Sequence, residues 1–140
     1  MGTGESHQLP TFALTRFAPA PTGYLHLGHV LNATRVWGLA RQYGARVLLR
    51  IEDHDRERCR PDYERALLDD LDWLGFAPDL FPTSAFRAGT CESRQSDRQA
   101  IYLAASRELE QRGLLYGCTC SRQQIAASAG DETTDELRYR

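Results

Sequence analysis

Residues 16–29 read Arg16-Phe-Ala-Pro-Ala-Pro-Thr-Gly-Tyr-Leu-His-Leu-Gly-His29, and this stretch decides the fold. An apolar run over residues 12–18 predicts a strand, and the proline-broken loop after it leads into a helical apolar pattern over residues 27–43. Gly44 is placed to end that helix. A second apolar run, residues 46–51, predicts a strand buried on both faces. Strand, helix and strand with short links predict an α/β fold of the Rossmann type, a parallel βαβ unit that binds ligands at the carboxyl ends of its strands.

Two histidines, His26 and His29, fall in the first turn of the predicted helix and should face the same way. Gly28 between them allows a ligand to approach the backbone closely. Free N–H groups and the positive end of the helix dipole point at the same place. The pair can be a triphosphate site or an ordinary helix cap, and the strand and Pro/Gly loop before it favour the nucleotide site.

Carboxylates follow the second strand in Arg50-Ile-Glu-Asp-His-Asp55. These acids and the histidine could bind Mg²⁺, or the ammonium and amide groups of a small substrate. The alternative is a solvent-facing turn that caps the next helix. Arg16 on the adjacent strand is predicted to pair with one of these acids or with a substrate carboxylate.

The remaining sequence predicts two further helices, over residues 61–74 and 97–112. Pro61 suits a first helical position, and Ser96 with Gln99 has the form of a capping box. Residues 76–94 are predicted to be irregular and residues 114–120 extended, with Ser121 capping a short helix. The pattern predicts a flexible leader over residues 1–11, a folded part over 12–112 and a separate last segment over 113–140.

The net charge of −2 excludes a strongly basic chain. All 17 basic residues are arginine, and the chain contains no lysine. Any step that needs a lysine ammonium must therefore be supplied from outside this chain. No apolar run has the length of a membrane span and no signal peptide is visible, so a cytoplasmic protein is expected. Five arginines between residues 50 and 65 alternate with acids and are predicted to form a solvated, self-paired cluster.

Cys118-Thr-Cys120 forms a compact chelating pair among the four cysteines, and disulfides are not expected in a cytoplasmic chain. Zinc needs four ligands, so Tyr139, Cys91 or a residue beyond Arg140 would have to complete a site. Two reduced structural thiols are the alternative.

Five motifs carry a resemblance to a known family: Arg16-Phe-Ala-Pro, Pro21-Thr-Gly, His26-Leu-Gly-His29, Arg50-Ile-Glu-Asp and Arg94-Gln-Ser-Asp-Arg98. In this order they resemble the N-terminal catalytic part of class I glutamyl-tRNA synthetases. More narrowly, the chain is similar to the short glutamyl-Q tRNA(Asp) synthetase family, over roughly residues 13–139. The glutaminyl enzymes are less similar.

The resemblance implies ATP-dependent activation of glutamate to glutamyl-adenylate, followed by transfer to tRNA. It implies that His26 and His29 stabilise charge on the α- and β-phosphates, while Gly28 and Thr22 contact ATP. It also implies a glutamate pocket, whose residues are Arg16 on a carboxylate, Ala18 and Ala20 on the wall and Glu52 on the α-ammonium. Ala20 stands where the family usually has serine, which removes one hydrogen bond to the substrate.

The resemblance further implies a structural Zn²⁺ held by Cys118, Cys120 and Tyr139, with Mg²⁺ accompanying ATP. The implied partner is tRNA-Asp, or alternatively tRNA-Glu, for a full-length enzyme that is monomeric. The family's lysine-bearing signature loop would lie beyond Arg140, so a fragment or truncated form is expected.

Three rival interpretations remain. One is an ordinary glutamyl-tRNA synthetase fragment, and another is a non-catalytic remnant that binds ATP, glutamate or tRNA. The third is a small nucleotidyltransferase, a class that also uses a His-x-Gly-His helix start, although Arg50-Ile-Glu-Asp and Arg94-Gln-Ser argue against it.

Overall fold

A computed structural model of the chain describes residues 12–128. Its elements are β1 (Leu14–Phe17), α1 (Leu27–Tyr43), β2 (Arg46–Leu49), α2 (Pro61–Leu74), α3 (Thr83–Arg87), a 3-10 turn (Ser96–Arg98), α4 (Gln99–Gln111) and α5 (Arg122–Ser128). The described residues up to Ile101 form one compact unit, and those from Tyr102 form a second. The predicted leader and Tyr139 lie outside the described residues. None of the described helices has the length and apolar character needed to cross a bilayer.

The two strands pair in parallel, with Leu14 opposite Arg46 and Phe17 opposite Leu49. Helix α1 connects them and packs against both. The predicted βαβ unit is therefore confirmed.

Helices α1 and α2 have the bounds that the sequence predicts. Gly44 follows α1 with φ 66°, and Gly75 follows α2 with φ 74°. Side chains strongly disfavour this left-handed conformation, so a glycine marks each helix end clearly in the sequence. Pro61 begins α2 as expected, because the first helical residue needs no N–H partner.

The core lies on one face of the sheet. Phe17, Val47, Leu49 and Ile51 are at most 2% exposed, and they form one cluster with apolar residues of both long helices: Ala33, Ala40, Leu67, Leu68 and Leu71. Burying such side chains contributes about 1.5–3 kcal/mol each relative to exposure.

The prediction that residues 46–51 are buried on both faces is wrong. Burial alternates along β2, and Leu48 is only half-buried while Arg46 is exposed. Successive side chains of a strand point to opposite faces, so the face that carries Arg46 and Arg50 must keep access to water or to charged partners.

The other edge of β2 is covered by the segment that the sequence predicted to be irregular. Isolated parallel bridges join Leu48 to Leu80 and Ile51 to Arg94. Between these bridges lies the five-residue helix α3, which corrects the prediction for residues 76–94. A helix this short has too few residues to show an apolar period, so the sequence pattern could not reveal it.

The predicted capping box at Ser96 is also wrong. Residues 96–98 form a 3-10 turn, and α4 begins at Gln99 rather than at residue 97. Ser96 bonds to the side chain of Asp53 instead of to the backbone of its own helix. A serine cap and a serine that holds a distant acid have the same local sequence.

In the second unit, Gly113 follows α4 with φ 67°, and residues 114–120 form no strand within the described part of the chain. The predicted cap at Ser121 is confirmed. The N–H of Ser121 donates to Gln124 Oε1 at 2.7 Å, and the N–H of Gln124 donates to Ser121 Oγ at 3.3 Å. This reciprocal pair satisfies N–H groups at the start of α5.

Candidate functional site

The histidine pair lies at the start of α1, where the chain leaves the loop after β1. His26 is the N-cap, and its Nδ1 accepts a hydrogen bond from the N–H of Gly28 at 3.1 Å. His29 Nδ1 accepts in turn from the N–H of His26 at 3.3 Å. The ring centroids are 4.0 Å apart. The three-residue spacing thus builds a reciprocal cap from two imidazoles, so the cap interpretation is correct.

The cap fixes which ring nitrogens face a ligand. An Nδ1 atom that accepts a hydrogen bond carries no proton, so each neutral ring holds its proton at Nε2. Neither Nε2 atom has a hydrogen-bond partner among residues 12–128. The first turn of α1 also contains no acidic residue. The helix start therefore offers two N–H donors and the positive dipole end to an anion.

Burial lowers the pKa of His29 below its usual value of 6.5, and the neighbouring His26 charge lowers it further. Both causes disfavour an imidazolium beside a second imidazole at a helix N-terminus. The neutral form of His29, which the cap requires, is therefore maintained at neutral pH.

We expect the chain to lose stability as the pH falls below 6.5. Above that pH, His29 is neutral in both the folded and unfolded states. Below it, the unfolded chain takes up the proton first, because the folded pKa is lowered, and the free energy of unfolding decreases. Urea unfolding across this range measures the loss, and NMR titration should give a His29 midpoint below 6.5.

The matched control is His29→Asn, which keeps an acceptor near the position of Nδ1 but does not titrate. Its unfolding free energy should fall less on acidification than that of the wild-type chain. A His29 midpoint at or above 6.5 would contradict the assignment.

Gly28 is required by the geometry of the cap. A Cβ atom at this position would lie 2.9 Å from His26 Cε1 and 3.1 Å from His26 Nδ1. Contacts this short would push the His26 ring out of its hydrogen bond. The glycine therefore serves the histidine beside it as well as the approach of a ligand.

The four residues of the predicted glutamate pocket are brought together by the sheet. The N–H of Arg50 donates to Phe17 O at 2.9 Å, and the N–H of Glu52 donates to Pro19 O at 3.0 Å. These bonds continue the β1–β2 register, so Ala20 runs beside Glu52 and Ala18 beside Arg50. Arg16 precedes Ala18 by two residues and so shares its face. Thr22 follows in the same loop, and its N–H donates to the carbonyl of Ala20 at 2.9 Å.

Glu52 already has a cationic partner in the segment that follows β2. Arg50 Nε lies 2.7 Å from Glu52 Oε1, with both side chains at most one quarter exposed. The predicted pairing of Arg16 with a protein acid is wrong for Glu52. Arg50 is two residues away on the same face and forms the ion pair with Glu52 instead. Arg16 is exposed, which leaves the alternative of a substrate carboxylate.

The acids that follow Glu52 are held within the chain. Both carboxylate oxygens of Asp53 bond to Ser96, and Asp55 pairs with Arg58 at 2.6 Å. The hydrogen bond from Arg58 lowers the pKa of Asp55. His54 Nδ1 lies 3.0 Å from Gln95 Oε1.

This arrangement corrects the interpretation of the loop as a Mg²⁺ site. Within residues 12–128, no three His, Cys, Asp or Glu side chains are grouped to hold a metal ion. The carboxylates face protein donors rather than one another. The interpretation as a capping turn is also incomplete, because Asp53 and His54 bond to a segment more than 40 residues away.

The residues that hold this loop were not predicted from the sequence, although they lie in the motif Arg94-Gln-Ser-Asp-Arg98. Gln95 and Ser96 make the bonds to the loop. The preceding Arg94 anchors their segment, because its guanidinium bonds to Glu64 at 2.6 Å and to Asp97 at 2.8 Å. The same group donates to the carbonyls of Phe86 and Gly89. A half-buried arginine among polar residues produces no apolar periodicity in the sequence, so only the motif marks this segment.

The arginine cluster is self-paired in part, as predicted. Arg58 pairs with Asp55, Arg65 with Asp62, and Arg50 with Glu52. The first two arginines are largely exposed, so these pairs contribute little stability.

A cavity of about 750 Å³ opens beside α2, with Pro21, Asp53, Arg60, Leu68 and Phe86 among its lining residues. Neither the histidine pair nor any residue of the predicted glutamate pocket lines it. The candidate site is therefore distinct from this cavity.

The two cysteines of the predicted zinc site are exposed, and none of the four cysteines forms a disulfide. Cys118 and Cys120 are soft ligands at chelating spacing, but the third predicted ligand, Tyr139, lies outside the described residues. A complete donor set for zinc is not present within the described part of the chain.

A parallel βαβ unit whose helix begins at the carboxyl edge of its strands defines an α/β domain of the Rossmann type. The family model described as tRNA synthetases class I (E and Q), catalytic domain, matches residues 13–140. The chain belongs to this family, which confirms the resemblance drawn from the motifs.

Individual relatives agree with this assignment. The chain is 52% identical to a glutamyl-Q tRNA(Asp) synthetase of Rhodobacter capsulatus, over 85% of this chain and 40% of that protein. It is 42% identical to a glutamate–tRNA ligase 2 of Rhodospirillum rubrum, over 89% of this chain and 24% of that protein. A crystal structure of glutamate–tRNA synthetase from Elizabethkingia anophelis is similar with a TM-score of 0.59 and 35% identity, over 71% of this chain and 20% of that one. The chain thus spans less than half the length of these relatives.

Proposed function

We propose that the chain carries the first part of an active site that activates glutamate with ATP and transfers it to tRNA, as glutamyl-Q tRNA(Asp) synthetases do. The observation that carries the proposal is the reciprocal His26–His29 cap at the start of α1, which follows the carboxyl end of β1. The higher identity to a glutamyl-Q tRNA(Asp) synthetase favours this type. A glutamate–tRNA ligase, with the same activation chemistry, is the second candidate.

The histidine pair is proposed to bind the triphosphate of ATP. The two Nε2–H donors would contact the α- and β-phosphate oxygens at the positive end of the helix dipole, and Thr22 would contribute from the preceding loop. The bonds strengthen as charge moves onto the departing pyrophosphate, which is where electrostatic stabilisation accelerates phosphoryl transfer. Mg²⁺ would arrive with the triphosphate and neutralise part of its charge.

The face of Arg16, Ala18, Ala20 and Glu52 is proposed to bind glutamate. Glu52 would bind the α-ammonium, which would replace Arg50 as its cationic partner. Arg16 would bind a carboxylate bidentately. A charged partner of this kind rejects glutamine, because the neutral amide would leave the guanidinium unpaired.

The proposed reaction is a displacement at the α-phosphorus of ATP. An α-carboxylate oxygen of glutamate forms the new bond to phosphorus, and the bond to the β-phosphate oxygen breaks. Pyrophosphate leaves and glutamyl-adenylate remains. The residues described here would bind, orient and stabilise charge, and none of them needs to exchange a proton in this step.

The same proposal extends to the remaining partners. Residues 113–140 would begin an insertion that binds the acceptor end of tRNA, with tRNA-Asp preferred over tRNA-Glu. Cys118, Cys120 and Tyr139 would hold a structural Zn²⁺ in it. The full-length protein would be a monomer in the cytoplasm.

We expect the double variant His26→Asn/His29→Asn to bind ATP at least about tenfold more weakly than the wild-type chain. Asparagine oxygens can replace both Nδ1 acceptors of the cap, but the variant lacks the Nε2–H donors, and charge-assisted hydrogen bonds of this kind contribute about 1.5–3 kcal/mol. Isothermal titration calorimetry with ATP measures the affinity, and thermal unfolding should remain close to that of the wild-type chain.

The enzymatic part of the proposal is tested by glutamate-dependent exchange between ATP and pyrophosphate without tRNA. Exchange with glutamate but not glutamine supports activation by this chain. Equal ATP affinity of the wild-type and double-asparagine chains contradicts the nucleotide site. Specific ATP and glutamate binding without exchange would instead identify a binding module.

A further inference from the structure

Residues 93–96 close onto the end of β2 and the loop after it. The N–H of Ile51 donates to Ser93 O at 3.0 Å, and the N–H of Gln95 donates to Ile51 O at 2.9 Å. Beyond this bridge, the backbone N–H of Ser96 donates to Asp53 Oδ1 at 2.8 Å. The hydroxyl of Ser96 donates to Asp53 Oδ2 at 2.5 Å. Ser96 therefore holds both oxygens of one carboxylate with two donors.

Glu52 lies between these fixed points. Its own N–H is bonded to Pro19 O on the β1 side, while Ile51 before it is bonded to residues 93–95. Asp53 after it is anchored through its side chain to Ser96. The backbone of Glu52 is thus restrained on both sides, and its carboxylate points to the face of Arg50.

Asp53 is not free to act as a ligand itself. Its side chain is half-buried, and both oxygens are directed at Ser96 rather than at the face of Arg16 and Ala18. A hydrogen bond to an ionised group is stronger than one between neutral groups, so this contact is well suited to restrain a loop.

We propose that Ser96 is a positioning residue for amino-acid binding, acting through Asp53 on the orientation of Glu52. This rests on the proposed function, in which Glu52 binds the α-ammonium of glutamate. Ser96 does not touch the substrate. Its role is to hold residues 52 and 53 in the geometry that the ammonium requires, since a shift of about 1 Å at a positioning contact can cost two orders of magnitude in rate.

The test compares Ser96→Ala with Ser96→Thr, which retains the hydroxyl, and with Ser84→Ala, which removes an exposed serine of α3. Titration calorimetry with glutamate and with ATP gives the two affinities separately. We expect Ser96→Ala to weaken glutamate binding about fivefold to tenfold and to leave ATP affinity unchanged within about twofold. Ser96→Thr should restore glutamate binding, and Ser84→Ala should behave as the wild-type chain.

A second measurement needs no ligand. Amide hydrogen exchange at Glu52 should be about tenfold faster in Ser96→Ala and in Asp53→Asn than in the wild-type chain. The double variant should exchange no faster than either single variant, because the two residues act as one unit. Equal loss of glutamate and ATP affinity, or unchanged exchange at Glu52, overturns the proposal. If the wild-type chain binds no glutamate, the pocket assigned under the proposed function fails, and the exchange rates alone decide whether Ser96 orders Glu52.

Discussion

Replacing Arg94 by alanine should destabilise the chain by about 2–3 kcal/mol, because it removes hydrogen bonds between charged groups at a partly buried position. The guanidinium binds Glu64 through Nε and Nη2 and Asp97 through Nη1, and its Cζ lies 5.5 Å from the centre of the Phe86 ring. Its side chain is only 14% exposed. The variant would leave the carboxylates of Glu64 and Asp97, which are only partly exposed to water, without their cation. Urea unfolding followed by circular dichroism measures the difference.

The control for this prediction is Arg65→Ala. Arg65 pairs with Asp62 at 3.1 Å, but its side chain is 69% exposed, so the change should stay within about 0.5 kcal/mol. Arg94→Lys should recover only part of the stability, because a lysine ammonium cannot reach both acids and the two carbonyls in a planar fork. Similar values for Arg94→Ala and Arg65→Ala would show that the arginine does not tie these segments together.

Gly28→Ala should reduce ATP affinity about tenfold or more while changing stability little. The new Cβ would displace the His26 ring, which removes a phosphate donor and one of the cap bonds. Alanine is intrinsically favoured over glycine in a helix by up to about 1 kcal/mol, so the loss of the cap is partly offset. Calorimetric titration with ATP gives the affinity, and the NMR signal of His26 Cε1–H reports the ring displacement.

Gly38→Ala provides the matched control in the same helix. No atom lies within 4 Å of a Cβ built at Gly38, and the residue is exposed. This variant should be more stable than the wild-type chain by about 0.5–1 kcal/mol and should bind ATP equally well. If both glycine variants bind ATP as the wild-type chain does, the position of the His26 ring has no part in nucleotide binding.

The parts of the fold that the sequence predicts correctly depend on contacts between near neighbours. The bounds of α1 and α2 follow from an apolar period and from Gly44 and Gly75, whose backbone conformation leaves few other residues possible. The His26–His29 pair was found in the same way, because a three-residue spacing in a first turn fixes which side chains meet.

The parts that it misses depend on distant residues. Ser96 has the local sequence of a helix cap. Only the folded chain shows that its hydroxyl donates to the carboxylate of Asp53, 43 residues earlier. Arg16 was a reasonable partner for Glu52 until the geometry placed Arg50 nearer on the same face. In both cases the sequence predicts a residue that can form the hydrogen bond or ion pair. Which of several possible partners it bonds to depends on distances that only the folded chain provides.

The contact between Ser96 and Asp53 has a topological consequence for the two sides of the candidate site. The proposed nucleotide side is formed by hydrogen bonds between residues two and three positions apart, whereas the proposed amino-acid side is held by hydrogen bonds across 43 residues. The entropy of closing a loop grows with its length, and non-local contacts form only after the intervening chain has collapsed. The histidine-capped helix start is therefore a local property of this sequence, but the surface proposed for the amino acid is complete only once residues 51–96 have come together.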